Sequence, residues 1–160
     1  MDLPKPNACK TLDEINVGDL AELTFTLTDD DIHTFGKVSG DYNPLHFCDD
    51  YANTTIFKGR IGHGTILQGK VSQLLGVDLP GLGALWGRQQ ASFLGPIRIG
   101  QTYKVWVEIS DKQNKFATYT CGAEDAEGNT IMKGDGDIYP IPAKVKAKMV
   151  EDGSLEKLLA

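Results

Sequence analysis

The sequence predicts an α+β fold with an antiparallel sheet, and three observations point to it. One stretch, His63 to Gly76, has the apolar period of a long buried helix. Four later stretches follow one another with the alternation of strands, and clusters of Gly, Pro, Asn and Asp separate them.

Taken in order, residues 1–17 hold Pro4 and Pro6 with little periodicity and read as an irregular lead-in. From Leu20 to Leu27, Leu23, Phe25 and Leu27 alternate with Thr24 and Thr26, as in a half-buried strand. Thr28 followed by Asp29, Asp30 and Asp31 marks a helix start, because a hydroxyl caps free N–H groups and acids suit the positive end of the dipole. Ile32, Phe35 and Val38 are the expected buried face of that short helix, and Gly40 with Asn43-Pro44 ends it. An irregular loop is expected from Asp41 to about Arg60. In the long helix Leu67, Val71, Leu74 and Leu75 form one stripe that Ile66 and Val77 widen, and Pro80-Gly81-Leu82-Gly83 turns the chain. Strands are expected over Leu85–Leu94, Thr102–Ile109, Phe116–Ala123 and Thr130–Tyr139. The tail from Ala143 carries Lys144, Lys146 and Lys148 at strand spacing, a solvated basic face, and then Leu155, Leu158 and Leu159. The domain proper is read as residues 18–142, and the tail, 143–160, has no assigned role. One helix cannot cover both faces of the sheet, so an uncovered face or edge calls for a partner, and a homodimer is the usual remedy.

Composition narrows the function. A chain of 160 residues fills one domain, and 41% hydrophobic with 24% charged residues is the balance of a folded globular protein rather than a disordered one. The net charge of −6 argues against a nucleic-acid partner. No apolar run is long enough to cross a bilayer, and MDLPKPNACK lacks the apolar core of a secretory signal, so the expected location is cytoplasmic. Cys9, Cys48 and Cys121 are odd in number and far apart, which favours reduced thiols.

Two stretches can do chemistry. In Val38-Ser39-Gly40-Asp41-Tyr42-Asn43-Pro44-Leu45-His46 an acid and an imidazole flank a proline, which rules out a continuous helical ladder and suggests a fixed bend. The two side chains can converge on one water and move protons in opposite senses; equally, Asp41 and Asn43 can simply make turns while His46 sits at the surface. Arg60-Ile61-Gly62-His63-Gly64-Thr65 precedes the long helix, where glycines let backbone N–H groups approach an oxyanion. The alternative there is a glycine-rich turn with His63 capping or packing. His33, His46 and His63 have no ligand spacing, so no metal is expected. Trp86 and Trp106 read as core or dimer contacts.

SGDYNPLH, together with ANTTIFKGRI and the following GHGTILQGKVSQLLG, resembles the MaoC-type hydratases, the (R)-specific enoyl-CoA hydratases, from about Gly18 to Tyr139. The resemblance implies a hot-dog fold, a curved antiparallel sheet wrapped around the long helix, paired into a homodimer. It implies reversible hydration of trans-2-enoyl-CoA to (R)-3-hydroxyacyl-CoA, with acyl-CoA or an acyl-carrier-protein thioester as substrate, no cofactor and no membrane partner. Asp41 and His46 fall on the catalytic pair and the Gly64 N–H on the donor to the thioester oxygen. Asn43, His63, Ser72 and Gln89 form the substrate-facing set. Arg60 departs from the pattern, standing where many members have proline, as do Gln68 and Lys70 where a small residue is usual; these changes bear on pocket shape. Two rivals remain: a hot-dog acyl-CoA thioesterase, which would release free thiol, and a non-catalytic acyl-thioester binding module, which would not need the Asp41/His46 pair.

Overall fold

The computed structural model describes residues 5–160, so the first four residues of the lead-in, Pro4 among them, lie outside the described residues. Strand β1 spans Leu20–Thr26 and leads into helix α1, Asp29–Ser39. Thr28 caps α1 reciprocally: its side chain accepts from the Asp31 N–H at 3.1 Å while the Asp31 carboxylate accepts from the Thr28 N–H at 2.8 Å. The buried stripe of α1 runs through Ile32, Phe35 and Gly36 and leaves Val38 off it, 82% exposed, contrary to expectation. Gly36 is buried because the Phe47 ring lies against it, 2.7 Å from where a Cβ would stand.

The expected loop 41–60 contains two short helices instead, α2 over Pro44–Phe47 and α3 over Asp49–Thr54. Pro44 blocks a helix from passing through it yet suits the first position of a new one, where its missing N–H is not needed. Helix α4, Thr65–Val77, buries Ile66, Leu67, Val71, Leu74 and Leu75 as its sequence period requires.

Strands β2 (Leu85–Phe93), β3 (Thr102–Lys112), β4 (Ala117–Asp125) and β5 (Thr130–Tyr139) complete one antiparallel sheet of order β1-β3-β4-β5-β2. The alternation of β3 is fully used: Tyr103, Val105, Val107 and Ile109 are buried against α4, while Lys104 and Glu108 face out. Register shifts at Trp86/Arg88, Ile109/Asp111 and Ala123/Glu124 bend three of the ladders, so that the sheet curves around α4 as a hot-dog fold. Edge strand β2 is the least covered, with Leu85, Trp86 and Phe93 exposed. Trp86 donates to the Tyr119 hydroxyl, and half-buried Trp106 lies over Gly122.

The tail is helical, with α5 over Ala143–Glu151 and α6 over Ser154–Leu159. Its Leu155 joins Cys9 and Ile141 in a second small core, Lys146 binds the Glu14 carboxylate at 2.6 Å, and Lys144 and Lys148 stay in solvent. The three thiols are free, with Cys9 and Cys121 buried and Cys48 exposed. No helix among the described residues is long and apolar enough to cross a membrane.

Candidate active site

Gly40 ends α1 in the left-handed conformation, φ 74°, and swings the chain back towards α4. The next residue, Asp41, is pinned at its own backbone: its N–H donates to Ser39 Oγ at 3.2 Å. Asp41 Oδ1 accepts from the Asn43 N–H at 3.1 Å, which leaves Oδ2 free to face inward. Asn43 in turn caps α2, its Oδ1 accepting from the Leu45 N–H at 3.0 Å. The side-chain turns that stood as the plain reading of Asp41 and Asn43 therefore exist, and they are what aims the remaining carboxylate oxygen.

Helix α2 then delivers His46, 8% exposed. Its Nδ1 lies 2.9 Å from the Ile61 carbonyl. A carbonyl only accepts, so Nδ1 carries hydrogen, and Nε2 of the neutral ring presents its lone pair. That Nε2 stands 3.8 Å from Asp41 Oδ2. The separation is too long for a direct hydrogen bond, while one water at about 2.8 Å from each atom would bridge them.

His63 closes the group from beneath. It is 3% exposed, its ring stacks on His46 at 3.8 Å between centroids, and Phe35 and Phe47 pack around it. Its Nε2 donates to the Asp41 carbonyl at 3.0 Å, and its Nδ1 has no partner. One atom each from Asp41, His46 and His63 lies within 4.8 Å of the others, a set able to approach a cation. The hydrogen on His63 Nε2 is committed to a carbonyl, which takes that nitrogen out of any ligand set.

Gly64 is the N-cap of α4 and has no side chain with which to cap it. Among the described residues its N–H finds no acceptor, so a free donor stands at the positive end of the helix. The run Ile61, Gly62, Gly64 also lines an apolar cavity of about 320 Å³ shared with Phe57, Phe93 and Ile97.

The structure thus brings together Asp41, His46 and His63, with Asn43 as their cap and the Gly64 amide following His63 directly. Two other expected residues are not brought to this group. Ser72 is exposed two turns further along α4. Gln89, on β2, accepts from the Tyr119 hydroxyl and donates to the Gln90 carbonyl at 2.9 Å, so its amide is held within the sheet. It borders a groove with Thr65, Gln68 and Trp86.

Arg60, noted in the sequence only as a departure, is a further site residue. Its guanidinium reaches Asp29 at 2.9 Å and Asp49 at 3.2 Å, the first residues of α1 and α3, and the His46 carbonyl at 3.4 Å. The aspartate at each helix start is the only signal for it in the sequence.

Comparison with known proteins places the chain among relatives. The family model of the MaoC like domain matches residues 14–129. An (R)-specific enoyl-CoA hydratase of Rhodospirillum rubrum is 37% identical over 136 residues, covering 82% of this chain and 92% of that protein. A 3-hydroxybutyryl-CoA dehydratase of Methylorubrum extorquens is 30% identical over 139 residues, covering 84% and 86%. The solved (R)-hydratase from A. caviae involved in PHA biosynthesis superposes with a TM-score of 0.76 at 31% identity, over 79% of this chain and 97% of that one.

Proposed function

Given that the chain belongs to the MaoC-like domain family, we propose that it adds water reversibly to trans-2-enoyl-CoA to give (R)-3-hydroxyacyl-CoA. The observation that supports this best is the Asp41 Oδ2 to His46 Nε2 separation of 3.8 Å, beside a free amide at the start of α4. Relatives named (R)-specific enoyl-CoA hydratase and 3-hydroxybutyryl-CoA dehydratase support the reaction class and the configuration.

Water held between Asp41 and His46 gives a proton to one of them as its oxygen bonds to C3 of the enoyl group. The C2=C3 electron pair moves onto the thioester oxygen, where the Gly64 N–H and the α4 dipole stabilise the negative charge. As the pair returns to C2, the dyad delivers a proton there, and its proton count is restored. Every step is a proton or electron-pair shift within the substrate and water, so the reading requires no metal and no cofactor. Either coenzyme A or acyl carrier protein suits the carrier end, since a relative from Arabidopsis thaliana is a 3-hydroxyacyl-[acyl-carrier-protein] dehydratase.

We further read the working form as a cytoplasmic homodimer. The exposed edge strand β2 offers its unpaired backbone to a second copy. Gly69, Ser72 and Gly76 form an exposed stripe on α4, so a second copy seated there would cover Ser72.

The test is direct. Pure protein added to crotonyl-CoA should remove the enoyl-thioester ultraviolet band, chiral analysis should find (R)-3-hydroxybutyryl-CoA, and no free thiol should appear. Thiol release with the double bond intact would make it a thioesterase, and an unchanged spectrum despite binding would make it a binding module.

A further inference from the structure

His63 is the odd member of the group. Its sequence position suggests a substrate contact, yet it is 3% exposed, its Nε2 is spent on the Asp41 carbonyl, and its Nδ1 is buried without a partner. Leaving a polar atom buried and unpaired is a cost that an apolar ring of similar shape would avoid. Phe35 packs against it at 4.9 Å and Phe47 at 5.8 Å between ring centroids, so the surroundings already suit such a ring.

What the imidazole does that phenylalanine would not is donate one hydrogen bond. The bond at 3.0 Å fixes the peptide that follows Asp41, between the left-handed turn at Gly40 and the cap at Asn43. The carboxylate hangs from that peptide. The same ring supports the face of His46 at 3.8 Å, while the Ile61 carbonyl, two residues before His63, holds the Nδ1 edge of His46. One rigid run, Ile61 to His63, therefore sets both members of the dyad and hence the gap in which a water would sit.

We propose that His63 is a positioning residue for the Asp41/His46 dyad, acting through its Nε2 hydrogen bond to the Asp41 backbone and its stack on His46, and that it does not touch substrate. The proposal rests on the hydratase reading and deepens it. It also predicts that activity falls without a matching loss of stability, which a plain core residue would not do.

Three variants separate the parts. His63→Phe keeps the stack and removes the hydrogen bond; it should melt no lower than wild type yet lose kcat on crotonyl-CoA by on the order of 10²-fold with KM unchanged. His63→Gln places an amide donor near the position of Nε2 and should recover to within roughly tenfold of wild type. Should His63→Phe not fold, His63→Asn, too short to reach the carbonyl, takes its place with the same expectation for kcat and KM. A rise in KM with kcat retained would make His63 a substrate contact and overturn the proposal, as would a folded His63→Phe with wild-type kcat. A second readout is independent of turnover. With 15N-labelled histidine and backbone amides, His63→Phe should shift the His46 ring nitrogens and the Tyr42 amide, and unshifted signals would overturn the assignment. If the wild-type protein itself leaves crotonyl-CoA unchanged, the hydratase reading fails, and the spectra still decide whether His63 sets the dyad.

Discussion

Gly64 and Phe93 meet across the gap between α4 and β2: a Cβ on Gly64 would stand 2.9 Å from Cδ1 and 3.0 Å from Cε1 of the Phe93 ring. Position 64 has ordinary helical dihedrals, φ −54° and ψ −31°, so glycine is required there by the neighbouring ring and not by backbone conformation. The free amide proposed to hold the thioester oxygen is reached beside that ring.

Gly64→Ala should displace Phe93 and crowd the amide. The expected result is a loss of kcat approaching the ~10²–10³-fold typical of one lost oxyanion donor. Adding Phe93→Ala removes the obstructing ring and should restore part of the rate. Steady-state kinetics on crotonyl-CoA, with melting curves for each variant, check both points; a double variant no faster than Gly64→Ala would mean that the ring is not the obstacle.

Removing either proton carrier should be nearly as damaging as removing both. Asp41→Asn and His46→Gln change shape little, and each should cut turnover by at least the ~10²–10⁴-fold ascribed to general acid–base catalysis. The double variant should be scarcely worse, because the two residues act as one unit. Near-wild-type turnover in either single variant would be incompatible with a shared water.

The tail should respond to acid. The Lys146 ammonium, followed by the Thr11 N–H, holds the Glu14 carboxyl below the usual glutamate range. A depressed folded value means that the contribution is present above the ordinary glutamate pKa and is lost as pH falls through the lower, folded one. Glu14 is 46% exposed, so the pair is worth about 0.2–1 kcal/mol at most. Glu14→Gln should lower the melting temperature slightly at neutral pH, and the difference should vanish in the acid range. Scans at the two pH values measure it.

The homodimer should elute at roughly twice 17.4 kDa. Replacing Ala91 by proline withholds an N–H from the β2 ladder while leaving the dyad residues untouched. If β2 is the contact, that variant should shift towards the monomer on size-exclusion chromatography. An active wild-type monomer at micromolar concentration would contradict the proposed assembly.

The sheet was legible where a strand wears its burial on alternate residues, as β3 does from Tyr103 to Ile109, and where turn residues mark the ends, as they do for β5 at Thr130. The tail's helices were not legible, because its spacing carries two periods. Lysines at 144, 146 and 148 mimic a strand, while Val145 and Met149, four apart, fit the helix that forms. At Pro44 a local rule has two outcomes, ending one helix or starting another, and only the Asn43 cap decides between them. In the site, Asp41, His46 and Gly64 were accessible through their motif. The His63 stack and the Arg60 clamp depend on neighbours 11 to 31 residues away in sequence, for which no local spacing gives a sign.

Arg60 spans the starts of α1 and α3 and touches the carbonyl of His46 with one guanidinium. The family pattern that the sequence resembles has proline at this position, and this chain braces the corner with charge instead. A ring's rigidity is indifferent to the solution around it, whereas an ion pair weakens as salt screens it. The alignment of the proposed catalytic corner is therefore open to ionic strength here, and concentrated salt becomes a reagent for loosening it without altering a residue.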